Sequence, residues 1–293
     1  MSEPGESFRV DRAGMRAAFD RAGPRYEAAA RLQASVAAEL LARLPPFGLR
    51  PRVLLDLGCG TGRSAAQLKR LYPRAQVIAL DLSLGMLQEA RRHLRPWRRF
   101  ARVCADAQRL PLANASVDLV FSSLMLQWCE PLDAALAEVR RVLTGDGFFA
   151  FSTFGTGTLA QLRQAWAAAD DYNHVNHFLE VHEVGAALLR AGLTEPVLDV
   201  DRHELTYPDV LALMRDLKTI GAHNVTAGRP RSLLGRSHLE RVRAAYEAFR
   251  SEGVLPATYE VIYGAAWGAT GRVAAAAGAE VHIDPAAIGR RPR

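Results

Sequence analysis

The run Val53-Leu54-Leu55-Asp56-Leu57-Gly58-Cys59-Gly60-Thr61-Gly62 sets three glycines at alternate positions directly after an apolar stretch. Glycines at this spacing let the backbone turn tightly and let a ligand approach the main chain. The same run carries an acid, Asp56, two residues before the first glycine. A carboxylate pointing into the loop would repel a pyrophosphate and stabilise a cationic ligand. The dinucleotide-binding fingerprint also wants Gly or Ala three residues after the second glycine, and here that residue is Arg63. The residues therefore favour a ligand with a positive centre over a dinucleotide. Two further acids follow at comparable places: Asp81 closes the next apolar run, and Ala105-Asp106-Ala107 closes the one after it. A single Asp at a strand end is ordinarily a helix N-cap or a turn residue. Three in register, at the ends of successive strands, point to a ligand site.

Other chemistries find little support. Cys59, Cys104 and Cys129 are far apart and form no C-x-x-C pair, so neither a disulfide framework nor a zinc site is expected. They are expected to be small buried hydrophobes in a reducing compartment. His174 and His177 flank Asn176, but no third ligand is spaced to complete a metal site, and no metal is expected.

The elements that must position these residues are legible as alternating strands and helices. Phe19–Leu44 reads as an amphipathic helical region in which Leu32, Val36, Leu40 and Leu44 recur every four residues, and Pro45-Pro46 ends it. Arg52–Leu57, Gln76–Leu82, Phe100–Ala105, Val117–Ser123 and Gly147–Thr153 are short apolar runs of the kind that form buried parallel strands. Helical patterns over Gly62–Leu71, Leu84–Leu94 and Leu132–Leu143 separate them. Such repeated units specify a doubly wound, mostly parallel α/β sheet with right-handed crossovers. Further on, Leu159–Ala169, Glu183–Ala191, Pro208–Ile220 and Arg236–Arg250 read as helices, and Val197–Leu205 and Thr258–Trp267 as strands.

The 293 residues are 49% hydrophobic and 23% charged, ordinary globular proportions that exclude disorder and collagen-like repeats. No apolar run approaches the roughly 20 residues of a membrane span. Met1–Asp11 is polar and lacks the apolar centre of a secretory signal, so a soluble, cytoplasmic protein is expected. The net charge is +6. Only Lys69 and Lys218 are lysines; such Arg richness reflects biased composition, and the charge is read as a solubility feature. The densest basic patch, Arg91–Arg99, is read as a solvated helix end.

The glycine run resembles motif I of the class I S-adenosylmethionine-dependent methyltransferases. That resemblance implies a Rossmann-like fold and S-adenosyl-L-methionine as cofactor. It implies that Gly58, Gly60 and Gly62 line the cofactor and that Asp56 lies near its amino-acid moiety. Asp81 would accept the ribose hydroxyls, Asp106 with Ala107 would meet the adenine, and Leu82 and Met86 would cover the base. A second resemblance is more specific. Phe19-Asp20-Arg21, Tyr26–Gln33, Leu110-Pro111-Leu112, Leu126-Gln127-Trp128-Cys129, His174-x-Asn176-x-Phe178-Leu179, Met214-Arg215-x-Leu217-Lys218-x-Ile220-Gly221-Ala222, Gly228-Arg229 and Thr258-Tyr259-Glu260 resemble, in order, the malonyl-acyl-carrier-protein O-methyltransferases of biotin synthesis. On this resemblance the chain divides into a polar segment at 1–18, a helical cap at 19–50, a cofactor-binding core at 51–155, a C-terminal half with acceptor-lid insertions at 156–267, and an Ala/Gly-rich tail at 268–293.

The family methylates the free carboxylate of a malonyl thioester, on acyl-carrier protein or on malonyl-CoA, which starts pimeloyl synthesis. A carboxylate is already a nucleophile at pH 7, so no catalytic general base is expected. A buried malonyl carboxylate would want a cation, and Arg215, Lys218, Arg229 and Arg231 are candidates in the insertion before the last strand. Tyr26, Gln127, Trp128 and His174 complete the candidate substrate residues. Three other readings stay open: a different small-molecule acceptor, for which His174, His177 or His223 could serve as base; a methyltransferase-like assembly factor of respiratory complexes; and nucleic-acid methylation. Against the last, Ser122-Ser123-Leu124-Met125 stands where a base N-methylation motif would. The expected partner is the acyl-carrier protein, with neither nucleic acid nor membrane.

Overall fold

A computed structural model describes residues 11–170, 172, 174–222 and 235–269. Two helices open the chain, α1 (Arg12–Ala29) and α2 (Arg31–Ala42). The helical region thus starts before Phe19 and divides at Ala30. Leu32, Val36 and Leu40 form the buried stripe of α2, and Leu44 continues it. The alternation that follows runs β1 (Val53–Leu57), α3 (Arg63–Leu71), β2 (Gln76–Asp81), α4 (Leu84–Glu89), β3 (Ala101–Cys104), β4 (Val117–Ser123), α5 (Leu132–Val142) and β5 (Leu143–Phe154). Then come α6 (Ala160–Ala167), α7 (Val181–Arg190), β6 (Thr194–Tyr207), α8 (Val210–Thr219), α9 (Arg236–Glu247) and β7 (Leu255–Trp267).

Among the described residues, seven strands form one sheet in the order β3-β2-β1-β4-β5-β7-β6. The first five strands are mutually parallel, and β7 runs antiparallel between β5 and β6. Strand order reverses beside β1, where β2 leaves one way and β4 the other, and the crevice at such a switch point is where open α/β sheets bind ligands. Two apolar cores lie on the sheet, one including Leu54, Phe121 and Phe148 with Val36 of α2 and Leu68 of α3, the other including Leu55, Leu57 and Val120 with Leu136 of α5 and Val184 of α7. Among the described residues no helix is long and apolar enough to cross a membrane.

α1 lies across the start of α4. Asp20 of α1 accepts hydrogen bonds from the Ser83 hydroxyl (2.6 Å) and the Gly85 N–H (2.9 Å), while Ser83 caps α4 by accepting from the Met86 N–H (3.1 Å). The crossing needs a residue without a side chain: a Cβ on Gly85 would stand 2.7 Å from the Asp20 carbonyl oxygen and 2.8 Å from its Cα. Both obstacles are backbone and cannot rotate away. Gly85→Ala is expected to destabilise the protein by about 1–3 kcal/mol, the usual cost of overpacking, read as a lower urea midpoint at unchanged slope.

Candidate functional site

Leu55 and Leu57 face one core and Leu54 the other, so the two-residue period of a strand turns Asp56 to the Leu54 side, beneath α3. There it is 1% exposed, and its Oδ2 has no hydrogen-bond partner. Burial first, and the charge of Asp81 second, push its pKa up to about 8, although a backbone hydrogen bond at Ala65 opposes the shift. Above it Gly58 and Gly60 take left-handed backbone, with φ of 77° and 52°. A Cβ on Gly58 would meet Met125 Cγ at 2.2 Å, whereas one on Gly60 would meet nothing within 4 Å. The middle glycine therefore leaves the main chain open to a ligand, and the first one is required by packing.

Parallel register carries the other two acids to the same edge, with Asp56 beside Ala79 and Asp81 beside Cys104. Asp81 accepts from the Gly60 N–H on Oδ2 and the Ser83 N–H on Oδ1, each at 2.8 Å. Burial raises its pKa, and those two bonds pull it back. Asp106 follows β3, accepting from the Gln108 N–H at 2.9 Å and pairing through its other oxygen with Arg12 at the start of α1. Gly58, Gly60, Asp81 and Asp106 line one cavity, and Asp56 lines a second that shares Gly58, Gly60, Tyr26, Gln33 and Ser123 with the first.

α1 roofs this cavity. Phe19 meets Trp128 edge to face, centroids 5.3 Å apart, a contact worth about 0.5–1.5 kcal/mol beyond its buried area. Glu27 ties the roof to the loop beneath by accepting from Thr61 (2.7 Å) and His93 (2.6 Å). Burial would raise the Glu27 pKa, but the bonds from His93 and Thr61 with the nearby His93 and Arg63 charges hold it below its usual value. The wall after β4 bends at Leu124, a non-glycine residue at φ 50°, held by its N–H donating to the Ser152 carbonyl at 2.9 Å. Gln127 braces this bend, donating to the Leu124 carbonyl (2.7 Å) and accepting from the Thr153 hydroxyl (3.2 Å).

A sheet switch point with three strand-end acids is the geometry of a nucleoside-binding fold. Residues 55–151 match the family model described as a methyltransferase domain. Over 275 residues, 92% of this chain and 93% of the other, the sequence is 48% identical to the malonyl-[acyl-carrier protein] O-methyltransferase of Methylovorus sp.. The protein of that name from Laribacter hongkongensis is 50% identical over 270 residues, covering 89% and 91%. The chain belongs to the malonyl-[acyl-carrier protein] O-methyltransferases. Among solved structures, a putative methyltransferase from Bacillus halodurans superposes with a TM-score of 0.58 at 16% identity, over 81% of this chain and all of that one (100%); at such identity the likeness is one of fold.

Against this family frame the sequence-derived candidates separate. Leu82, Met86 and Ala107 line the first cavity, as do Tyr26, Gln127 and Trp128. Gly62 does not; it packs under the loop, where a Cβ would stand 2.8 Å from that of Ala90. His174 is stacked on Trp166 at 3.7 Å and bonded to Asp170 at 2.8 Å, outside the cavity. Arg215 and Lys218 are exposed on α8 and do not line it, although Ile220 and Ala222 just after α8 do. Arg229, Arg231 and His223 lie outside the described residues, as does nearly all of the tail 268–293. Sequence reasoning missed Arg12, Asp20, Gln33 and Leu124. Asp20 lies within the Phe19-Asp20-Arg21 stretch of the family resemblance, and that was the signal available.

The Asp56 environment sets a pH dependence. Its unfolded value is near 3.8 and its folded value about 8, so the ligand-free fold loses stability as pH rises between those values, where only the unfolded chain has released the proton. Asn cannot ionise, so Asp56→Asn is expected to gain on the unaltered protein as pH rises from about 5 to about 7.5. Urea unfolding at both pH values checks this; a gap that stays constant would contradict the placement of Asp56.

Proposed function

We propose that this chain transfers a methyl group from S-adenosyl-L-methionine to the free carboxylate of a malonyl thioester on acyl-carrier protein, with malonyl-CoA as a second thioester of the same chemistry, to start pimeloyl synthesis for biotin in the cytoplasm. The observation that carries the cofactor part is the orphaned Oδ2 of Asp56, a buried acceptor lining a cavity beside an open glycine main chain. An ammonium group would satisfy it, and its positive charge would draw the carboxyl back to its ionised form. Asp81 keeps acceptor capacity beyond its two backbone bonds and suits vicinal hydroxyls. Asp106 suits an exocyclic amine once it shares or gives up Arg12, and Leu82 and Met86 supply apolar cover. When bound, S-adenosyl-L-methionine supplies a methyl group on a positively charged sulfur.

The acceptor part follows from what the wall does and does not offer. Among the described residues lining the first cavity, none is histidine or lysine, and the cations are Arg12 and Arg16. Arg12 is engaged by Asp106, and Arg16 stands 3.9 Å from Asp20. An alcohol or amine acceptor would need a base to take its proton, whereas a malonyl carboxylate is ionised near pH 7 and attacks unaided. With S-adenosyl-L-methionine bound, the carboxylate would take up the methyl group as the neutral thioether leaves, so that the two opposite charges would cancel. Phe19, Trp128, Leu124 and Phe154 then have the task of excluding water and holding the acceptor in line, which is where the acceleration arises. With Arg215 and Lys218 on the outer face of α8, the positively charged sulfur would offer the reacting carboxylate a countercharge, while Arg229 and Arg231 lie outside the described residues. Names and identities of the relatives support the same acceptor.

The test is transfer of labelled methyl to malonyl-carrier protein, with acetyl- and succinyl-loaded carriers alongside. Base-labile label on the malonyl carrier alone is expected. Cofactor binding without transfer would remove the malonyl assignment, and absence of binding would favour an assembly role. Asp81→Ala is expected to weaken cofactor binding about 10- to 100-fold, the loss of a charged hydrogen bond of roughly 1.5–3 kcal/mol, measured by titration calorimetry.

A further inference from the structure

Beside the cofactor cavity lies a separate hollow of about 450 Å³, bounded by the start of α5, the segment His177–Leu179 and α7. Gln127 and Cys129 belong to the walls of both. We infer that this hollow receives the flexible arm linking the malonyl thioester to its carrier, an extended chain of alternating amide and apolar units of the pantetheine class; the inference rests on the acceptor reading above. A protein carrier is far too large to enter a cavity roofed by a helix. Its reactive carboxylate must reach the methyl donor at the end of a thin arm, and such an arm needs a lined passage from the surface.

The hollow shares the wall formed by Gln127 and Cys129 with the cofactor cavity, just past the end of β4, near the wall residues Leu124 and Phe154. Its size falls among ligand-binding pockets. Leu132, Leu179 and Val184 give it apolar sides. Its inner end carries the neutral pair Thr153 and Gln127, whose 3.2 Å bond is longer than the usual hydroxyl–oxygen distance. An amide of the arm can replace that bond on either partner, because Gln127 and Thr153 each donate and accept. Among the described lining residues, Arg190 is forked onto Asp133 (2.7 and 3.0 Å), His182 pairs with Glu180 at 3.1 Å, and His177 stands with the acids Glu130 and Glu183. The walls therefore suit the neutral body of the arm and leave its phosphodiester outside, near the carrier.

Ala186 provides the test, since it lines the hollow from the exposed side of α7. Ala186→Trp is to be compared with the unaltered protein on malonyl-carrier protein and on malonyl-N-acetylcysteamine, whose arm is too short to span the hollow. KM for the carrier substrate is expected to rise about tenfold or more, a loss of about 1.4 kcal/mol, while the short thioester and cofactor affinity change little. Ala186→Leu, a smaller intrusion, is expected to give an intermediate effect and guards against a folding defect, with thermal midpoints recorded for both. An unchanged KM for the carrier substrate, or equal losses on both substrates, would overturn the inference. Failure of the unaltered protein on both thioesters would instead remove the acceptor reading, and this inference with it.

Discussion

A carboxyl group sealed from water with one oxygen unpartnered is costly, and the architecture around the site follows from keeping one there. Asp56 is held under the glycine loop by a central strand that cannot shift, because β1 is hydrogen-bonded on both sides, to β2 and β4. The free protein meets the cost by keeping the group protonated, with its pKa near 8. A cationic ligand would reverse that preference. The same register places Asp81 and Asp106 along one edge, so a single constraint, the parallel pairing of three strands, fixes the three acids relative to one another. The roof then depends on the loop: Glu27 bonds to Thr61, and Asp20 to the residues just past Asp81.

Much of this was legible in the sequence because buried parallel strands are written as continuous apolar runs. Val53–Leu57 and Val117–Ser123 are almost wholly buried and were read to within a residue. The start of α1 was not, because Arg12–Ala18 is dominated by Arg, Ala and Gly and buries only Met15 and Ala18. The break at Ala30 has no Gly or Pro to mark it. β6 extends beyond Val197–Leu205 at both ends, since an edge strand exposed on much of its length carries little apolar signal.

The site divides in the same way. Acids at strand ends were readable, because their positions follow from local pattern alone. Asp20 and Arg12 act on Gly85 and Asp106, far away in sequence, and nothing local announces such a meeting. Leu124 is harder still: its left-handed backbone is imposed by Ser152 on the neighbouring strand, and a leucine gives no hint of it. The expected cations Arg215 and Lys218 face outward because α8 buries Val210 and Leu213, and the helical period then turns these two toward solvent.

The strand order has a consequence for biosynthesis. Among the described residues β7 is the last strand, yet it lies between β5 and β6. A nascent chain that has emerged only as far as α9 has β6 without its sole neighbour and β5 with an open edge. The antiparallel part of the sheet cannot close until residue 267 has left the ribosome. The parallel half with its three acids can pair as it emerges, whereas β6 cannot join the sheet until β7 has followed it.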